Sequence, residues 1–146
     1  MFSGTTEAKV KTISSKIILK KYKFEHIKFI IHEFQDLIHN EISLFCESHS
    51  RVLSRSFEKQ KPIVLGFDLS NIENTEFKFI DELVKQFEAF ENEYRSVVKC
   101  VFIYVRNDII VHLVNMVLNM NEPVVPVVVH TSLSEIEAKI QNYIRV

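Results

Sequence analysis

The run Pro62-Ile63-Val64-Leu65-Gly66-Phe67-Asp68-Leu69-Ser70-Asn71 limits the folds open to this chain more than any other segment. It is apolar throughout and then stops on an acid, a hydroxyl and an amide. An apolar run of this length reads as a strand buried on both faces, ending where the chain reaches a sheet edge. In open α/β sheets, binding sites form beyond the carboxyl ends of parallel strands. The run therefore indicates where to look for a site. Gly66 is the only glycine in the body of the chain, since the other of the two is Gly4. This excludes glycine-rich phosphate loops, and neither GxxxxGK[ST] nor GxGxxG occurs.

The remaining elements follow from periodicity. Lys9 to Leu19 ends in Ile17-Ile18-Leu19 and is expected to be the first strand. Residues 24–50 carry Phe24, Ile27, Ile30, Ile31, Phe34, Leu37, Ile38, Ile42 and Phe45 at helical spacing, which predicts a long amphipathic helix. Ser50 to Lys61, with Arg51, Arg55, Lys59 and Lys61, is expected to be a charged loop. After the strand at 62–69 and a turn at 71–75, helical spacing resumes over 79–90. Val97 to Val105 is the next strand. Asn107 is placed to cap a helix running from Asp108 to about Met120. Val124 to Val129 is a strand that Pro126 puts at or near an edge. Ser132-Leu133-Ser134-Glu135 fits a capping box that opens the last helix. The reading is four strand–helix repeats forming one α/β domain over 9–146, a largely parallel sheet of four to five strands flanked by helices, with residues 1–8 expected to be disordered.

At 146 residues the chain can bury a sizeable core, and 12 Phe with no Trp predict one built from Phe, Ile, Leu and Val. A net charge of −1 predicts no general affinity for nucleic acid, and aromatic residues do not interleave with the lysines as in a stacking platform. The charges are unevenly placed. Lys9, Lys11, Lys16, Lys20, Lys21, Lys23 and Lys28 face only Glu7 and Glu25 in the first 28 residues, whereas 73–93 is acidic. One explanation is solvated faces. The other is a basic edge that meets a lipid headgroup, an anionic membrane surface or an acidic partner. Cys46 and Cys100 are expected to be reduced core thiols. Met1 to Val10 has no apolar core of signal-peptide length, and no apolar run approaches the roughly 18 residues of a membrane span. The expected location is cytoplasmic.

Three strand ends carry polar groups: Asp68, Ser70 and Asn71; Tyr104, Arg106 and Asn107; and His130 with Thr131 and Ser132. On parallel strands these share one rim, which suits a ligand or a partner loop. Helix capping and turn chemistry would use the same residue types. Arg106 is the hardest to explain as a cap. Ser70 or Ser132 with His130 and Asp68 supplies the residue types of a hydrolase, but no G-x-S-x-G elbow positions a serine. A phosphoacceptor reading of Asp68 lacks acidic partners, because the first strand ends in Leu19-Lys20-Lys21. His32 and His39, seven apart on the expected helix, are too distant to share a metal ion, and no Cys/His pair has zinc-site spacing. No metal or cofactor is expected. The 108–120 helix has Ile109, Val111, Met116 and Met120 off its main stripe, which predicts burial on two sides. One side would pack on the sheet, the other on a lipid, a partner or another part of the chain.

Val64 to Ile72, Phe77 to Lys85 and Lys99 to Val105 together resemble the middle of a CRAL-TRIO domain, with its "DL-x-G" strand end, following helix and strand leading to an "NAP"-like turn. Arg106-Asn107-Asp108 stands at that turn. The resemblance extends over about 15–144. The same element order resembles STAS domains, which regulate partners by binding them; their D-S-S-G would fall near Glu76-Phe77-Lys78-Phe79, where no serine stands. No preceding helical domain is expected for the matched region, and the chain is short for a full lipid pocket. The resemblance therefore implies a compact, non-enzymatic relative: a protein-interaction or regulatory module that binds a protein partner or self-associates, or else a small-lipid or phosphoinositide binder.

Overall fold

A computed structural model describes residues 6–24 and 26–144. Three strands come first, β1 (Thr6–Thr12), β2 (Ile17–Phe24) and β3 (Ile27–Phe34). Helix α1 (His39–Lys59) follows, then β4 (Ile63–Asp68), the helical segments α2 (Phe77–Val84), α3 (Gln86–Ala89) and α4 (Glu91–Val97), β5 (Val98–Tyr104), α5 (Asp108–Met120), β6 (Val127–His130) and α6 (Leu133–Ile144). The strands form one sheet in sequence order, β1-β2-β3-β4-β5-β6. The first three pair antiparallel, and β3 through β6 pair parallel. The α/β class holds, but the sheet is six-stranded and mixed rather than largely parallel with four or five strands. Residues 1–5 lie outside the described residues. Of the segment expected to be disordered, Thr6 to Ala8 belong to the backbone of β1.

The N-terminal third is where the sequence expectations fail. Residues 27–34 are a strand, not the front half of a helix. β3 lies inside the sheet and is covered on both sides, so Phe29 and Ile31 point to one face while Ile30, His32 and Phe34 point to the other. A strand buried on both faces is apolar at nearly every position, and such a run also satisfies helical spacing. The charged "loop" at 50–61 is the second half of α1. The buried positions of α1 are Ile42, Phe45, Ser48, His49, Val52, Leu53 and Ser56, and three of them are polar. The 3.6-residue period is therefore present in burial but broken in hydrophobicity. Its end is a left-handed residue, Gln60 at φ 50°, whose N–H and that of Lys61 close on Phe57 and Ser56 carbonyls.

The other expectations hold in part: the expected first strand, 9–19, falls across β1 and β2, the helical stretch at 79–90 is divided between α2 and α3, and the last strand begins at Val127, which leaves Pro126 just outside it. β4 is buried at all six positions. The Asn107 side chain accepts from the Ile109 N–H, and Ser132 Oγ accepts from the Glu135 N–H, so both caps form. β6 is at the sheet edge. α1, α2, α4 and α5 pack with one face of the sheet around Phe45, Leu65, Phe67, Tyr94, Ile103 and Val114. α6 covers β5 and β6 on the opposite face, around Phe102, Cys100, Val128, Ile136 and Ile140. The expectation that α5 is buried on two sides is overturned. Ile110, Val114 and Val117 are buried, but Ile109 is 72% and Met120 69% exposed. Both cysteines are free, with Cys100 buried and Cys46 half-buried. Among the described residues no helix is long and apolar enough to cross a membrane.

Candidate functional site

The parallel pairing of β4, β5 and β6 brings their carboxyl ends to one rim. There the seven candidate residues divide into two groups. Asp68, Tyr104 and His130 stand in register across neighbouring strands, and Glu33 of β3 continues the row. Residues in register point to the same face, here the one that α6 covers in part. Lys20 Nζ lies 2.7 Å from the Glu33 carboxylate at the end of this row. Burial raises the Asp68 pKa above the ordinary value, opposed by the Ser70 hydroxyl and amide, both of which donate to Asp68 Oδ1 (2.6 and 2.9 Å). His130 Nδ1 accepts from the Thr131 and Ser132 N–H groups, at 2.9 and 3.1 Å, which fixes that nitrogen as unprotonated.

The second group, Ser70, Asn71, Arg106 and Asn107, lines an open cleft of ≈ 360 Å³ together with Ile72 and Glu73. Arg106 is exposed. Asn107 caps α5, and its amide reaches the Glu73 carbonyl at 3.4 Å. The hydrolase constellation is not assembled through hydrogen bonds. Ser70 donates to Asp68, Ser132 is engaged with Ser134 and Glu135, and His130 bonds backbone amides. Nor do His32 and His39 share a helix, since His32 is on β3 and His39 opens α1. Among the described residues no group of three or more His, Cys, Asp or Glu is placed to hold a metal ion.

A concentration of like charge lies elsewhere, where the sequence alone does not assemble it. Arg51, Arg55 and Lys59 recur every four residues along α1 and so form one stripe. Across from them, β1 and β2 present Lys9, Lys11 and Lys21 on the same face, because Lys9 pairs with Lys21 and Lys11 with Leu19. Lys28 and Lys61 extend this side at the amino ends of β3 and β4. The groove between helix and strands holds two adjoining pockets, ≈ 80 and ≈ 100 Å³, which share Lys21, Val52 and Arg55. Among the described residues every charged one lining them is Lys or Arg. Among the described residues none of these cations makes a salt bridge; the pairs formed are Lys20–Glu33, His39–Glu82, Lys78–Glu76, Lys85–Asp81 and Arg95–Glu91. The crowding registers on half-buried Lys21, whose pKa is lowered by burial and then by Lys9, Arg55, Lys28 and Lys11. A chain of net charge −1 has gathered these cations in one concavity.

Beneath the groove is a buried polar cluster. Ser48, which lines the first pocket, meets His32 Nε2 at 2.8 Å. The next residue on α1, His49, is also buried and bonds the Tyr94 hydroxyl through Nε2. Among the described residues the Nδ1 atoms of both histidines have no hydrogen-bond partner. Burial holds both rings neutral, with His49 lowered to about 3 and His32 also shifted well down by burial, His49 and Lys21. Ser48 and His32 are the residue types of a nucleophile and base, but among the described residues no third group orients the ring, and its protonated form is strongly disfavoured.

No protein-family model matches the chain, and no curated protein or solved structure matches it. Fold and surface together define a mixed α/β domain with a polar strand-end rim and, apart from it, a basic groove whose cations form no salt bridge among the described residues.

Proposed function

We propose that this chain is a non-catalytic interaction module of STAS/CRAL-TRIO-like type that captures an anionic partner in the groove between α1 and the antiparallel strands. One observation carries the reading: among the described residues the groove is lined by lysines and arginines with no carboxylate among them. Like charges held together cost stability, and a bound anion offsets that cost. The test is fluorescence anisotropy with a labelled glutamate-rich peptide and a labelled polyphosphate, at low and high salt. Charge reversal of Arg51, Arg55 and Lys59, all exposed, should abolish binding of both probes, while reversal of Lys139 on α6 should not. Equal binding by the two variants would remove the groove from the function.

A second reading, a protein partner or a second copy at the strand-end cleft, has its own support. Arg106 and Ile109 are both exposed at the amino end of α5 beside that cleft. Arg106→Ala and Ile109→Asp should each reduce partner binding or self-association while leaving stability within about 0.5 kcal/mol. Light scattering that finds a monomer at every concentration would sink the self-association version.

A further inference from the structure

Resting on the anion-binding reading of the groove, we propose that its ligand is a small molecule or headgroup carrying two linked phosphoryl groups, one in each pocket, with Arg55 and Lys21 between them and the Ser48 hydroxyl donating to the one nearer β1. The pockets are the first ground. At ≈ 80 and ≈ 100 Å³ each falls well below the roughly 300 Å³ at which sites for drug-sized ligands begin. Each has the scale of one tetrahedral anion with its waters. The cation sets are the second ground. Lys9, Lys11 and Arg51 belong to the first pocket, and Lys28, Lys59 and Lys61 to the second. Arg55 and Lys21 line both. A single carboxylate or phosphate needs one such set; a duplicated set with shared cations at the junction suits two anionic groups joined by a short bridge. Arginine adds the planar fork that engages phosphate oxygens bidentately.

Ser48 is the third ground. It is 5% exposed, yet it lines the first pocket. Its partner His32 has a buried Nδ1 without a hydrogen-bond partner. Among the described residues either tautomer leaves Nδ1 unanswered, and the hydrogen is placed on Nε2, because a buried unpaired acceptor is better tolerated than a buried unpaired N–H donor. Nε2–H then donates to Ser48 Oγ, and the serine's own hydrogen is left to point into the pocket. A neutral hydroxyl donor among cations complements a phosphoryl oxygen. Ser56 adds a second, buried hydroxyl to the other pocket, and the remaining lining, Leu19, Val52, Ile30 and Ile63, is aliphatic. With no ring among the described lining residues for a base to stack on, the groove is suited to a small phosphorylated ligand rather than to single-stranded nucleic acid.

The experiment is isothermal titration of the full chain with orthophosphate, pyrophosphate, tripolyphosphate and long-chain polyphosphate, alongside phosphatidylcholine vesicles with and without phosphatidylinositol 4,5-bisphosphate. Affinity should rise about tenfold or more when a second phosphoryl group becomes available, the equivalent of one further charge-assisted bond, and then level off at 1:1 stoichiometry. Arg55→Ala should remove this gain. Arg51→Ala and Lys59→Ala should each reduce it, Ser48→Ala should weaken pyrophosphate but not the glutamate-rich peptide, and Lys139→Ala should change nothing. Binding of soluble phosphates supports a free ligand; saturable, Arg55-dependent binding only to the phosphoinositide vesicles supports a headgroup. A steady rise with polyphosphate length, displacement of pyrophosphate by oligonucleotides in a length-dependent way, or indifference to Arg55→Ala overturns the proposal. Peptide binding without phosphate preference overturns it while leaving the proposed function standing, and failure of every anionic probe removes both.

Discussion

Gly66 on β4 and Phe102 on β5 are register partners, and the Phe102 ring occupies the space that a side chain at residue 66 would need. A Cβ there would lie within 2.7 Å of Cε1 and 2.8 Å of Cε2. The glycine serves close packing, with no left-handed backbone involved. Gly66→Ala should therefore destabilise the fold by about 1–3 kcal/mol through overpacking, read as a lower urea midpoint. Phe102→Leu should recover part of that loss in the double variant, since contacting residues couple. An unchanged midpoint for Gly66→Ala would mean that the ring swings aside at little cost.

The two buried histidines predict acid sensitivity. His32 packs on Phe45 and His49 and bonds Ser48, with Lys21 as the cation near it; His49 packs on Phe45, Phe67, Phe90 and Tyr94. Both bind protons more weakly folded than unfolded. Below about pH 6.5, the ordinary histidine value, the unfolded chain takes up protons that the folded chain refuses. Stability should be full above that pH and fall as pH drops, for His49 down to about 3, by up to about 1.4 kcal/mol per pH unit for each ring. Urea unfolding between neutral and mildly acidic pH measures this slope. His49→Phe should reduce it, and a flat profile would show that the rings are reached by water.

Tyr94 is fully buried and its hydroxyl is the hydrogen-bond partner of His49 Nε2. Tyr94→Phe removes one partner and leaves a buried ring nitrogen unanswered, at a cost of about 1–3 kcal/mol. Replacing both groups removes the unpaired atom as well. The double variant Tyr94→Phe/His49→Phe should thus lose much less than the two single losses combined, as a thermal-melting cycle would show. Additive losses would mean that the hydroxyl and the ring act separately.

The parts of the fold legible in the sequence were those where hydrophobicity and burial coincide. β4, β5, α5 and α6 each carry apolar residues at the positions that are buried, and the Asn107 and Ser132 caps mark their helix starts. The parallel order of β4 to β6 likewise made the strand-end rim readable, down to Arg106 and Ser70 lining one cleft. Coincidence fails in the first 60 residues. β3 is apolar on both faces and imitates a helix, while α1 buries Ser48, His49 and Ser56 and so conceals its second half. Without that half, Arg51, Arg55 and Lys59 cannot be seen as a stripe, nor Lys9, Lys11 and Lys21 as its opposing wall. The sole sequence signal was the four-residue spacing of those three cations.

Asp68, where the buried strand β4 ends, is 6% exposed and accepts two hydrogen bonds from Ser70. Its pKa is nevertheless raised, because burial outweighs those bonds and the pull of Lys20, and Glu33 adds repulsion. The folded chain then holds this proton more tightly than the unfolded chain. Its contribution to stability is greatest below the ordinary aspartate value of about 3.9 and is lost as pH rises through the raised one. At neutral pH the charged carboxylate is a net cost. Asn at this position keeps an Oδ1 that can accept from both Ser70 donors and carries no charge. Asp68→Asn should therefore match or exceed the parent's stability at pH 7, by up to about 1 kcal/mol, with the difference closing as the pH falls below about 4. Urea midpoints at the two pH values decide it. A clear loss at neutral pH would show that Lys20 and the rim favour the carboxylate's charge more than burial opposes it, and would return Asp68 to the set of groups held ionised for a ligand.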